Sequence, residues 1–236
     1  MPTDRLHPGR CDRLFVVLTH LRRAIEQTIA RHAPQPTGDR QLLDYGAGDS
    51  PYRPLFAAAG FDYTAADLAD NPAADLALTP DGKVERPDAS FDWILSSQVL
   101  EHVPDVPAYL REARRLVRPD GLMLLSTHGF WRFHGHPGDY WRWTRPGLVR
   151  QIEAEDWQVI DVINILNLTG AAIQLLQDAT GRGVPRLLRP AYFGMCQSAI
   201  WLSEKLTRTP SPNDAAVFVV LARPANMTPG NKDVHR

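Results

Sequence analysis

Apolar residues recur at Leu14, Val17, Leu18, Leu21, Ile25 and Ile29 within 11–31, the spacing of one helical face. The other face carries Arg13, Arg22, Arg23 and Glu26, so this helix is expected to lie on a core with its charged side in water. The run Ala33-Pro34-Gln35-Pro36-Thr37-Gly38 breaks the pattern. Short apolar runs follow at 41–45, 61–67, 91–96 and 122–127, each read as a strand. Between the last two, 106–117 has helical spacing and ends at Arg118-Pro119-Asp120-Gly121, where Pro stops a helix and Gly supplies a turn. Strands alternating with helices predict parallel βαβ units, whose ligands bind at the carboxyl ends of the strands. Chemistry is therefore to be sought just after each strand.

The second half changes character. A helix is expected at 146–155, a strand at 158–163 and an apolar strand at 215–221. Between those strands lie two amphipathic helical stretches, 166–179 and 189–206, around Gly181-Arg182-Gly183-Val184-Pro185. Arg182, Arg186 and Arg189 there read as a solvated rim, and the polar tail 224–236 as frayed.

Composition narrows the class. A chain of 236 residues with 44% hydrophobic and 22% charged residues can bury a full core. Its 26 basic and 27 acidic side chains leave no long-range field for nucleic acid or an anionic membrane; such a partner would need a local patch. Cys11 and Cys196 read as reduced packing residues of a cytoplasmic protein. The start lacks the apolar run of a signal peptide, and the apolar-rich stretch 165–176 falls short of the ~20 residues that span a bilayer, so no membrane insertion is expected.

The first strand runs into Asp44-Tyr45-Gly46-Ala47-Gly48-Asp49-Ser50-Pro51. Glycines directly after a strand let a ligand approach the backbone, and Ser50 and Pro51 fit the cap and first position of a following helix. A dinucleotide site would want a third glycine where Pro51 stands. Asp44 would repel a phosphate and attract an ammonium group, which favours a cationic or zwitterionic cofactor. Asp67, ending the second strand, can accept hydrogen bonds from both hydroxyls of a ribose, and Asp75 is placed to accept from an adenine amino group.

In order, Asp44-x-Gly46-x-Gly48, Asp67, Asp75, Pro87-Asp88-Ala89-Ser90-Phe91-Asp92, Val99-Leu100-Glu101-His102-Val103 and Leu116-Val117-Arg118-Pro119-Asp120-Gly121 resemble the class I S-adenosylmethionine-dependent methyltransferases, closest to their small-molecule enzymes. The resemblance covers roughly 41–163. It implies that Gly46 and Gly48, with Asp44, hold the methionine part of the cofactor, Asp67 the ribose, and Asp75 with Leu76 the adenine. Leu68 and Gln98 are further expected cofactor contacts. It also implies an α/β, Rossmann-like, doubly wound sheet of seven strands whose antiparallel last strand is 215–221. The expected organisation is an N-terminal helical extension (1–36), one methyltransferase domain (37–223) with a helical insertion at about 165–213, and the tail. The extension and the insertion either cover the acceptor pocket or make a homodimer contact.

An oxygen acceptor must lose its proton, and histidine is the natural base at neutral pH. His102, His128, His134 and His136 fall in the loops expected to face the acceptor, with Asp139 beside them. Some oxygen methyltransferases of this family, in the ubiquinone pathway and at small-RNA termini, hold a divalent metal with Glu-x-x-Glu-His. Here the matching segment is Gln98-Val99-Leu100-Glu101-His102, so Glu101, His102 and His128 are the candidate ligands for Mg²⁺. Phe130, Trp131, Phe133, Tyr140, Trp141 and Trp143 would form an aromatic wall for a sugar ring, with His134, His136 and Asp139 offered to its hydroxyls. The segment from Asp139 to Thr144 resembles one found in methyltransferases of bacterial surface-polysaccharide and natural-product pathways. The expected activity is O-methylation of a sugar or other small polyhydroxylated metabolite, alone or within an oligosaccharide. The alternatives are N-methylation of an amino sugar or small amine, and cofactor binding without turnover by a regulator. No nucleic-acid partner is expected.

Overall fold

A computed structural model describes residues 4–33, 39–135, 137–207 and 211–225. Strands β1 (Arg40–Tyr45), β2 (Phe61–Asp67), β3 (Leu76–Ala77), β4 (Phe91–Ser97), β5 (Val117–His128), β6 (Trp157–Ile165) and β7 (Val217–Pro224) form one seven-stranded sheet in the order β3-β2-β1-β4-β5-β7-β6. The first five pair in parallel, whereas β7 runs antiparallel to both β5 and β6. This is the Rossmann-like doubly wound sheet expected from the sequence, with its last strand antiparallel.

Strand alternation divides the core. Leu42, Trp93, Leu124 and Val219 point to one face, where α1 (Phe15–His32) and α2 (Arg53–Ala58) cover them with Val17, Leu21, Ile25 and Phe56. Their neighbours Leu43, Ile94, Met123 and Val220 point to the other, under α3 (Val106–Leu116) and α4 (Arg145–Glu153). Strands covered on both faces read as continuous apolar runs, which is why they stand out in the sequence. Asp105 caps α3 by accepting from the Ala108 N–H at 2.9 Å.

Several boundaries differ from the sequence reading. Ser50 and Pro51 do not open α2: Ser50 has φ +50°, and the helix starts at Arg53 with Pro54 in its first turn. Arg118 to Gly121 is not a simple turn but the start of β5. Phe91 pairs with Val117 and Trp93 with Leu122, so the extra residues bulge out of the ladder. Gly121 is required there because a Cβ would lie 2.5 Å from the Asp92 carbonyl oxygen. Cys196 is buried as expected, but Cys11 is exposed and packs little. Beyond Ala225 the tail lies outside the described residues.

The insertion between β6 and β7 forms α5 (Leu168–Thr180) and α6 (Arg189–Leu206). It is tied to the start of α1 by buried amides. Gln197 accepts from the Val16 N–H at 2.9 Å, and Gln174, Gln177 and Gln197 all donate to the Arg13 carbonyl at 3.2, 2.9 and 2.9 Å. A buried N–H deprived of its acceptor costs about 1–3 kcal/mol. Gln197→Leu orphans the Val16 N–H and is expected to lower unfolding stability by about that amount in urea titration; wild-type stability would show that these amides do not hold α1.

Candidate functional site

A cleft of about 1230 Å³ opens at the carboxyl ends of β1, β2 and β4, where the strand order reverses. Its walls are the loops after those strands, residues 78–83, and the start of α3. Tyr45 and Tyr109 lie stacked at its side, centroids 4.2 Å apart, and Tyr109 donates to Ser96 Oγ at 2.8 Å.

The glycine loop is held from both sides. Gly46 has φ +86°, and a Cβ there would sit 2.7 Å from the Val99 methyl carbons, so only glycine lets the β1 and β4 loops touch. Gly48 has φ +55°, and a Cβ would meet nothing within 4 Å: its backbone is open on that side. The Asp67 carboxylate accepts from the N–H groups of Gly48 and Leu68, each at 2.7 Å, and from the Asn71 amide at 2.7 Å. Asp67 thus fixes the loop while still lining the cleft, as do Leu68 and Gln98. Gln98 is held at φ +59° by donating to Ser126 from its backbone and side chain, at 2.9 and 3.1 Å.

Asp44 is 2% exposed and accepts from the Tyr63 hydroxyl. Burial pushes its carboxyl up to about 7, against the opposing pull of that hydrogen bond. Arg5, which the sequence reading did not single out, lines the same cleft.

Asp75 and Leu76 do not line the cleft. Asp75 turns to α2, accepting from Arg53 at 2.6 Å and the Ala65 N–H at 2.8 Å, and Leu76 packs against the core. The wall expected there is built by Leu78, Thr79, Asp81 and Lys83, around the Tyr45 hydroxyl bonded to the Gly82 carbonyl. Its only sequence signal is Thr79-Pro80-Asp81-Gly82, a turn composition that says nothing of direction.

Three of the four histidines converge; His136 lies outside the described residues. The His134 ring stands edge-on to His102 and to His128, at 4.9 Å from each. His128 stacks on Trp131 at 4.8 Å, and its Nδ1 lies 2.8 Å from Glu101 Oε1. Thr127 donates to Glu101 Oε2 at 2.8 Å. Burial pushes the Glu101 carboxyl up, but His128 and Thr127 outweigh it and hold it low. Glu101 and His128 are buried beneath the cleft, whereas His102 and His134 line it. His102 Nδ1 meets the Gly138 carbonyl, which can only accept, so in the neutral ring Nδ1 carries the proton and Nε2 is the acceptor. Burial, then the His128 and His102 rings, pushes the His134 imidazole below the usual histidine value.

Asp139 does not face the cleft. It receives Arg142 at 2.6 and 2.7 Å and the His134 N–H at 2.8 Å, and Arg142 holds its carboxyl far below the usual range. It clamps the loop that presents His134. The aromatic wall is not formed around the cleft either: of the six rings, Tyr140 alone lines it. Trp141 and Trp143 stack on each other at 5.7 Å, Trp131 packs on the α1-side core, and Phe133 is 74% exposed. Among the described residues, none of the insertion lines the cleft.

The metal ligands also regroup. Glu101, His102 and His134, rather than His128, bring one ligand atom each within 4.8 Å of one another. Two imidazoles and one carboxylate do not fit Mg²⁺, which prefers oxygen donors.

A profile described as a methyltransferase domain matches residues 17–160. The ubiquinone biosynthesis O-methyltransferase of Cereibacter sphaeroides is 36% identical over 139 residues, 53% of this chain and 54% of that protein. The malonyl-[acyl-carrier protein] O-methyltransferase of Erwinia pyrifoliae is 32% identical over 130 residues, 50% of this chain and 48% of that protein. The chain thus spans about half the length of the curated relatives it matches. The 1,6-didemethyltoxoflavin-N1-methyltransferase of Burkholderia thailandensis, solved with S-adenosylhomocysteine, shares the fold at TM-score 0.55 and 20% identity, over 86% of this chain and 78% of that one.

The raised Asp44 carboxyl has a stability consequence. Below the ordinary value of 3.8 it is neutral whether folded or not; between there and about 7 the folded chain keeps a proton that the unfolded chain has lost, so its contribution fades as pH rises through that window. Asp44→Asn is expected to flatten this slope, its melting temperature gaining on wild type between about pH 5 and pH 8. Parallel melting curves for the two proteins would contradict it.

Proposed function

The chain belongs to the methyltransferase domain family, and on that premise we propose that it moves the methyl group of S-adenosylmethionine to a hydroxyl oxygen of a small polyhydroxylated acceptor, with a sugar as the first candidate. The observation that carries this reading is the pair His102 and His134 at the rim of the glycine-loop cleft, with His134 kept neutral near pH 7 by burial. Amines deprotonate in solution and need no such base; hydroxyls do. The O-methyltransferase names of the two relatives support the same choice.

The cleft suits the cofactor by its own chemistry. The open side of Gly48 admits a ligand against the backbone, Asp67 Oδ1, bonded only to the Leu68 N–H, keeps a site for a hydroxyl, and Leu68 and Leu78 offer apolar contact. Asp44, buried and titrating near neutrality, is completed by an ammonium group, which favours its ionised form. When bound, S-adenosylmethionine supplies an electrophilic methyl on a cationic sulfur. The chain holds the acceptor in line, worth up to ~7–11 kcal/mol, while His134 takes the hydroxyl proton on a ring nitrogen. His102 Nε2 is the second acceptor on that rim, and Tyr140 offers one ring face.

His134→Ala with His102→Ala is expected to lower kcat on a hydroxyl acceptor by about 10²–10⁴-fold while leaving S-adenosylhomocysteine affinity within about threefold. For wild type, the acid limb of the pH–rate profile should fall below the ordinary histidine value of 6.5, since the base must be neutral to act. Unchanged turnover in the double variant would sink the base assignment and favour an amine acceptor; cofactor binding without turnover on any acceptor would favour a regulator. Asp67→Ala is expected to weaken S-adenosylhomocysteine by at least about tenfold in calorimetry, through lost ribose contacts and a released glycine loop.

A further inference from the structure

The helical hairpin α5–α6 turns one side inward and leaves the other uncovered. Gln174 and Gln177 of α5 and Gln197 of α6 meet at the Arg13 carbonyl. About half a turn round α5 from Gln174 lie Leu168, Ala172, Leu176 and Ala179, all exposed. On α6 the corresponding stripe is Ala191, Met195, Ala199, Leu202 and Leu206, again all exposed. The connecting loop adds Leu187, 90% exposed, and Leu188, 56% exposed. Single exposed leucines are ordinary, but two apolar stripes at helical spacing joined by an apolar loop tip form a surface that water does not favour.

The charges on this hairpin are one-sided. Its carboxylates are withdrawn: Asp178 is 6% exposed and contacts Arg13 at 3.0 Å and Arg132 at 3.3 Å, and the half-buried Glu204 accepts from the Asn167 N–H at 2.7 Å. Arg182, Arg186 and Lys205 are exposed. Lys205 lies 3.9 Å over the ring of Trp201, itself 44% exposed. Among the described residues, the outward side of the hairpin therefore combines leucine and methionine with the loop arginines and no exposed acid, with Lys205 at its flank.

We propose that this face docks on an anionic lipid surface, with the Leu187–Leu188 tip and the α5 and α6 stripes in the headgroup region and Arg182, Arg186 and Lys205 on lipid phosphates. The cations decide between the two occupants that an apolar face admits. A second copy packed about a two-fold axis would bring the same cations against each other with no acid to pair them. An anionic bilayer supplies both the apolar layer and the opposite charge. No helix among the described residues is long and apolar enough to cross a membrane, so the attachment is peripheral. It is independent of the methyl-transfer reading, because no residue of this face lines the cleft.

The test is co-sedimentation of the full chain with vesicles of phosphatidylcholine alone or with about one-third phosphatidylglycerol. At least about tenfold stronger binding to the anionic vesicles is expected, lost near 0.5 M salt. Leu187→Asp with Leu188→Asp, and separately Arg182→Glu with Arg186→Glu, should each abolish binding while the melting temperature stays at the wild-type value, since all four side chains are exposed. Equal binding to both vesicle types, or none, overturns the proposal. So does a dimer at micromolar concentration that Met195→Asp splits, which would make a second copy the occupant.

Discussion

The site depends on the point where β1 and β4 lie side by side while their crossovers leave on opposite faces. The chain departs from β1 into α2, which packs with α1 on one side, and from β4 into α3, which packs with α4 on the other. The two loops therefore part at the carboxyl edge, and a cleft opens between them without any element having to be hollow. Everything placed there needs close backbone approach at the seam. Gly46 against Val99 meets that need, and Asp67 binds the resulting loop to the end of β2.

One edge further along, the end of β5 supplies the polar rim. Glu101 and His128 are both buried, so each is tolerable only because the other is present and Thr127 satisfies the remaining oxygen. That pair, with Trp131 stacked on His128, forms a firm base for His134, whose loop is clamped from below by Asp139 and Arg142. Burial divides the acids and bases here: Asp139, Glu101 and His128 position, and His134 and His102 face the cleft.

The near-neutral total charge of -1 conceals a local imbalance. Arg132 on the histidine loop and Arg13 ahead of α1 converge on Asp178 and take the insertion's one nearly buried acid out of play. The same contact joins the hairpin to the loop that carries His134. Pairing inward and charge outward are therefore two results of one arrangement.

Six of the seven strands were legible as short apolar runs and the parallel βαβ order from their alternation with helices, whereas the antiparallel return came only with the family resemblance and the two-residue β3 (Leu76–Ala77) was too short to leave a pattern. Helices α1, α3 and α6 were legible because a helical period marks which side is inward. That Gly46, Gly48 and Asp67 stand at the cleft was legible too, since each ends or directly follows a strand. Period carries no information once the chain leaves an element. Whether Asp75 faced the cleft depended on Arg53, which is 22 residues away, and the direction of Asp139 depended on Arg142. Likewise, only packing against the two cores removed Trp131 and Trp143 from the acceptor side and left Tyr140 there. The sequence by itself determined six of the strands, their alternation with helices and the loop that ends the first strand, through periodicity and backbone sterics. Tertiary structure alone decided which loop side chains share the cleft, because their directions are set by partners distant in the chain.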